Sequence, residues 1–153
     1  MKTERRFRTE TLLSQPIEVV FPFFADAKNL ERITPPFLRF RVLDQSTPEI
    51  QEGTVFNYRL RIRGIPIHWR SQIEQWEPGH KFVDRQLKGP YKKWVHLHEF
   101  IAEGNSTRMI DTVDYDLPMG TIGRWVAGWY VDRDVKSIFR YRETVIREIF
   151  ENA

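Results

Sequence analysis

Between Phe37 and Leu117 hydrophobic and polar positions alternate with a period of two, broken by turn signals at Glu52-Gly53, Gly64-Ile65, Pro78-Gly79, Gly89-Pro90 and Gly104-Asn105. Alternation gathers apolar side chains on one face of a strand, and short gaps favour hairpins, so the pattern predicts a meander of antiparallel strands. On either side the period changes. Arg5 to Leu13 mixes charge and threonine with Phe7, Leu12 and Leu13 and predicts an opening strand. Ser14, Gln15, Pro16 and Glu18 read as a helix start, with proline in the first turn and an acid at the positive end of the dipole. Val19, Val20, Phe23 and Phe24 follow at helical spacing. A second short helix spans Asp26 to Ile33 and is stopped by Thr34-Pro35-Pro36. After Pro118 and Gly120 the helical period returns through Ile122, Trp125, Val126 and Trp129 into Val135, Ile138, Phe139, Arg142, Val145, Ile146 and Ile149. The stretch from Asp132 to Glu151 alone makes about 30 Å of helix. Asp132 and Asp134 favour a fresh helix start, and so a break, near that point.

Strand, two helices, several strands and one long helix define an α+β fold: a curved antiparallel sheet (β-αα-β meander-α) wrapped around the C-terminal helix. That helix is the only element long enough to cover one face of the sheet. No repeat or linker interrupts the chain, which is read as one domain over residues 1–153.

Two hairpins sort the faces. A turn at Gly64-Ile65 pairs Ile62 with Ile67, Leu60 with Trp69, Tyr58 with Ser71 and Phe56 with Ile73, leaving Arg61, Arg59 and Asn57 opposite His68, Arg70 and Gln72. A one-residue slip would exchange core and solvent, so this separation supports the register. A turn at Gly104-Asn105 pairs Phe100 with Met109, His98 with Asp111, His96 with Val113 and Trp94 with Tyr115. The face with the larger aromatic side chains is placed inward. The same rule sends Phe82, Asp84 and Gln86 inward, with Lys81 and Arg85 outward. Asp84, Gln86, His96, His98 and Asp111 then all point under the helix. Dry and unpaired they would cost several kcal/mol each, so they must pair with one another or line a wet cavity.

Composition narrows the chemistry. With no cysteine, disulfides, thiolate catalysis and cysteine metal sites are excluded, which fits a cytoplasmic location. MKTERRFRTE has no apolar stretch behind it, so no secretory signal is expected, and no apolar run approaches the roughly 20 residues of a membrane helix. Aromatics make up 14% of the chain and suit an apolar pocket. Net charge is only +3. Arg59, Arg61, Arg63 and Arg70, with Arg39 and Arg41, form a basic stripe on the convex face. With so small a net charge and no aromatics between its members, it reads as a solvated face and not a nucleic-acid surface.

His96 and His98 lie two apart on one strand and point the same way. A metal needs a third ligand, which Asp111 or Asp84 could supply, but two histidines without cysteine are a thin set, and neither a metal nor another cofactor is expected. The same groups could form an acid–base pair, an aspartate orienting a histidine to give a base near neutral pH. No phosphate-cradling loop or dinucleotide fingerprint is present.

The blocks PIEVVFPFFADAKNLERITPP, FVDRQLKGPYKKWVHLHEF and IFRYRETVIREIF resemble the START-like (SRPBCC) superfamily, which includes polyketide cyclase/dehydrase-like and lipid-transfer proteins. The middle block is similar to a bacterial subgroup of mostly unassigned function. The resemblance implies the helix-grip fold, with a deep cavity between sheet and helix for a hydrophobic ligand. It implies no particular reaction, because the superfamily hosts carriers and enzymes alike.

The function expected is binding or transport of a small hydrophobic molecule (lipid, quinone or polyketide-like), without nucleic acid or stable membrane insertion; transient membrane contact and the oligomeric state are left open. Its polar end would meet Asp84, Gln86, His96, His98 and Asp111. Phe56, Tyr58, Leu60, Trp69, Trp94, Met109, Val113 and Tyr115 would wall the cavity. Trp129, Ile138, Phe139 and Arg142 would close it, and Met119 to Tyr130, with three glycines, would form a portal. The alternative is a cyclase or dehydratase with His96, His98 and Asp111 as catalytic candidates.

Overall fold

The computed structural model describes residues 4–117 and 121–151, with side chains from residue 132 onward in the second segment. The elements, in chain order, are β1 (Arg5–Leu13), α1 (Ile17–Phe24), α2 (Ala27–Arg32), a 3-10 turn (Pro36–Leu38), β2 (Arg41–Gln45), β3 (Val55–Ile62), β4 (Ile65–Glu77), β5 (Lys81–Lys88), β6 (Lys93–Glu103), β7 (Ser106–Asp116) and α3 (Thr121–Glu151). The seven strands form one antiparallel sheet in the order β1-β7-β6-β5-β4-β3-β2. Six of them are a continuous meander; β1 closes the other edge against β7. Register shifts at Arg70/Ser71 and Ile73/Gln75 on β4 mark bulges, which bend a strand and increase its twist. These give the 13-residue β4 the curvature the sheet needs to wrap a helix.

The β6–β7 hairpin has the expected register throughout. The β3–β4 hairpin keeps the expected faces but turns one residue earlier, at Arg63-Gly64, so that Ile62 pairs with Ile65, Leu60 with Ile67, Tyr58 with Trp69 and Phe56 with Ser71. Both turn residues have positive φ, 52° at Arg63 and 80° at Gly64. That is the demand of a type I′ turn, whose twist matches the strands and whose second position favours glycine. The partner strand moves by two residues, an even number, so no side chain changes face.

At α1, Pro16 is the N-cap and the buried residues are Val20, Phe21 and Phe24; Val19, expected on the apolar stripe, is half exposed. Asp26 caps α2 by accepting from the Lys28 backbone N–H at 3.0 Å. The break expected near Asp132 is absent: the backbone is helical without interruption from Thr121 to Glu151. Asp132 instead serves tertiary structure, accepting from Arg5 Nη1 at 2.7 Å and from the Tyr115 hydroxyl. The expected portal centres on residues outside those described.

Buried apolar residues form two clusters. The larger joins α1 and α2 to the sheet and to Ile146 and Phe150 at the end of α3. The smaller holds Val113 and Tyr115 on β7 against Val135 and Phe139 nearer the start of α3. Ile146 has no exposed surface, so Ile146→Ala should cost about 2–5 kcal/mol in urea unfolding, whereas Glu148→Ala on the exposed face should change stability by less than about 0.5 kcal/mol.

Candidate functional site

A cavity of about 740 Å³ opens between the concave face of the sheet, the α2 region and α3. Period two brings Phe56, Tyr58 and Leu60 of β3, Trp69 and Ile73 of β4 and Phe82 of β5 to its floor. Val135, Ile138, Phe139 and Arg142, at i, i+3, i+4 and i+7 on one face of α3, form its roof. Leu30 of α2 and Ile33 just past its end, then Phe37, Leu38 and Phe40, form a third wall. Trp69, Trp94 and Tyr91 enclose one end, their rings 4.7–5.5 Å apart.

Polar groups interrupt this surface at its rim, where Asp26, Asn29, Thr34 and the Arg63–Asp134 ion pair line it, and at one buried cluster. The β5–β6 register sets Asp84 opposite His96 and Phe82 opposite His98, and the β6–β7 register sets His98 opposite Asp111. Four groups from three adjacent strands therefore meet on one face. The imidazoles stack 3.6 Å apart, and His98 also stacks on Phe82 at 4.1 Å. His96 Nε2 donates to Asp111 Oδ1 at 2.7 Å, and His98 Nε2 hydrogen-bonds Asp84 Oδ2 at 3.3 Å. Ser71 Oγ donates to the other Asp84 oxygen at 2.9 Å. His96, His98 and Asp111 are each less than 5% exposed. The Arg142 guanidinium lies over Phe24 and Phe139, 5.8 and 5.7 Å from the ring centres, and its buried Nε has no hydrogen-bond partner.

Burial would push Asp111 up, but the positive charge of Arg142 and the hydrogen bond from His96 outweigh it and hold the carboxyl well below its ordinary range. Burial also opposes ionisation of Asp84, and the His98 hydrogen bond, the nearby His96 and Ser71 overcome it. For His96 burial wins: together with repulsion from His98 it exceeds the pull of Asp111 and lowers the ring to about 4. Burial thus draws the His96 ring below the near-neutral range that an orienting aspartate favours.

Of the expected ligand contacts, Phe56, Tyr58, Leu60, Trp69, Asp84, Trp94, His96, His98, Ile138, Phe139 and Arg142 line the cavity. Five others do not. Gln86 is engaged with Tyr91, donating to its carbonyl at 2.7 Å and accepting from its N–H at 3.3 Å, and so fixes the β5–β6 turn. Asp111 sits behind the two histidines, Met109 and Val113 are within the two cores, and Tyr115 is tied to Asp132. Trp129 lies outside the described side chains. The sequence reading missed Ser71, whose signal was a lone hydroxyl on an apolar strand face. It also missed the α2 wall, signalled by Leu30 and Ile33 three apart.

This geometry defines a helix-grip domain of the START-like class, with a largely apolar cavity and a buried polar cluster on its floor. The chain belongs to the polyketide cyclase / dehydrase and lipid transport family, whose model matches residues 13–139. Among solved structures, the Zhui aromatase/cyclase from Streptomyces sp. R1128 superposes with a TM-score of 0.77 at 16% identity, covering 97% of this chain and 94% of that one. The di-domain ARO/CYC StfQ of the steffimycin biosynthetic pathway gives 0.76 at 12% identity, covering 98% of this chain and 51% of that one. A START superfamily protein from Mycobacterium smegmatis gives 0.66 at 10%, covering 96% and 97%. At these identities the likeness is one of fold. No curated protein sequence matches the chain. Family and fold together support a hydrophobic-ligand-binding or cyclase role, and no described helix is long and apolar enough to cross a membrane.

Removing one partner from a buried charge network leaves the others uncompensated. Asp111→Ala should therefore lower unfolding free energy by about 3–5 kcal/mol, and Ser71→Ala, which strands one Asp84 oxygen, by about 1–3 kcal/mol. Urea unfolding followed by circular dichroism measures both.

Proposed function

We propose that this protein binds and carries a small, mainly apolar molecule of lipid, quinone or polyketide type, with its polar end directed at Asp84, His96, His98 and Arg142. The observation that carries the reading is the cavity itself: about 740 Å³, within the range of small-molecule sites, and walled mainly by aromatic and aliphatic side chains with a buried polar cluster on its floor. Apolar walls supply affinity in proportion to buried area, roughly 25 cal/mol per Å², while the cluster sets orientation. Arg142 contributes a buried cation whose Nε lacks a protein acceptor, a natural contact for an oxygen of the ligand.

A second reading has one specific observation in its favour, the buried His96–Asp111 pair at 2.7 Å beside the cavity. In a cyclase or dehydratase the pair would hold the ring so that its other nitrogen takes a proton from the bound substrate. His96→Ala would then abolish turnover of an identified substrate while leaving apolar retention nearly intact; unchanged turnover would eliminate this reading.

Native mass spectrometry of gently purified protein should show a retained adduct that organic extraction releases. Leu60→Trp, which fills part of the cavity from its floor, should weaken retention and the binding of a fluorescent apolar dye by about tenfold or more while unfolding with the same cooperativity. Undiminished dye binding by folded Leu60→Trp would place the ligand elsewhere.

A further inference from the structure

The polar cluster sets two carboxylates and one permanent cation, Arg142, around a pair of imidazoles. An ionised carboxylate only accepts, so His96 Nε2 carries a proton toward Asp111, and the bare Nδ1 lone pair of the neutral ring faces Asp84 Oδ2 4.0 Å away. His98 has a carboxylate oxygen 3.3 Å from each ring nitrogen, Asp84 at Nε2 and Asp111 at Nδ1. With one proton on the ring, one nitrogen turns its lone pair on a carboxylate; with two, both nitrogens donate. Nδ1 is fully buried without a hydrogen-bond partner. Arg142 compensates Asp111, whereas Asp84, its side chain 26% exposed, faces only the two imidazoles and Ser71.

A cation on that side would compensate Asp84 and take up the imidazole lone pairs that face it. With the His98 proton on Nδ1 toward Asp111, Asp84 Oδ2, His96 Nδ1 and His98 Nε2 become three converging donors, all within 4.8 Å of one another. In a tetrahedral site with bonds of about 2.0–2.2 Å, neighbouring donors stand roughly 3.3–3.6 Å apart. Asp84 Oδ2 lies 3.3 Å from His98 Nε2 and 4.0 Å from His96 Nδ1; the rings stack 23° from parallel, so one imidazole must turn out of the stack to aim its in-plane lone pair at the shared ion. Asp111 is then the outer carboxylate that fixes ring orientation and tautomer, and Ser71 holds the second Asp84 oxygen. The alternation of strand side chains is what lets two histidines at i and i+2 serve one ion.

We propose that Asp84, His96 and His98 bind one divalent transition-metal ion, of the zinc or cobalt type, leaving a coordination position directed into the cavity. This goes beyond the carrier reading and stands without it, since the donors are complete in the protein. The sequence reading offered Asp111 or Asp84 as the third ligand and set the metal aside because two histidines without cysteine are a thin set; Asp84 is the one grouped with both histidines.

The test is a Co²⁺ titration of the full chain in a non-chelating buffer, followed by visible absorption, with zinc content measured by mass spectrometry after loading and desalting. One equivalent per chain with d–d bands of low coordination number is expected. Asp84→Asn and His98→Ala should weaken binding by about 100-fold or more, and Asp111→Asn by about 10–100-fold. A variant lacking the two exposed histidines, His68→Ala with His80→Ala, should bind as the wild type does. If the site variants do not fold, the wild type alone decides: bound Co²⁺ should shift the ring resonances of His96 and His98 and spare those of His68 and His80. No stoichiometric binding by the wild type, wild-type affinity in folded Asp84→Asn, or shifts confined to His68 or His80 would overturn the proposal. Dye binding to the cavity, measured on the same samples without metal, reports separately on the carrier reading.

Discussion

Two aspartates ionised inside an apolar sheet face are the constraint on which this structure turns. Asp111 is almost completely inaccessible, Asp84 lies beside it on the cavity floor, and both are held below their ordinary range. Such groups destabilise a fold by several kcal/mol unless their surroundings are arranged for them. The arrangement uses three adjacent strands for the carboxylates, imidazoles and Ser71, and the long helix for Arg142. The sheet cannot slide by one residue, and α3 cannot rotate by one position, without leaving a charge uncompensated.

The same constraint explains why the interior is divided. Apolar side chains pack tightly at the end where α1 meets Ile146 and Phe150, and again around Val135 and Phe139. Between them the helix stands off the sheet, with Arg142 reaching down from above and the histidine pair rising from below. The space left open is the cavity. Its walls are mostly apolar because they are the continuation of the core faces, and its buried polar cluster persists because the charges there are balanced among themselves and by Arg142.

Much of this was legible in the chain because period two leaves little freedom. The β6–β7 pairing follows from one turn signal at Gly104-Asn105, and it brings His98 opposite Asp111 without further assumption. The Gly64 turn was misplaced by one residue because the residue before it, Arg63, adopts a positive φ that its chemistry does not announce. Asp132 looks like a helix start, yet it partners Tyr115 and Arg5, contacts far away in sequence. Gln86 faces inward as its strand position implies, but a local bond to Tyr91 takes it out of the cavity. Periodicity says which way a side chain points and not what it meets there. That is also why the wall from α2 was missed: Leu30 and Ile33 are explained equally well by ordinary core packing.

Membership of a cyclase and lipid-transport family is compatible with a carrier or with an enzyme, and the polar cluster is where those readings meet. In each of them the two buried histidines face whatever occupies the cavity, while His68 and His80 are on the outside. The most direct test of the account is a long-range ¹⁵N–¹H spectrum of the four imidazoles, recorded free and with the cavity saturated by an apolar dye bearing one polar end. The account predicts a His96 proton on Nε2 in the free protein, and ring shifts at His96 and His98 on saturation with none at His68 or His80. Unmoved His96 and His98 resonances in a saturated protein would contradict it.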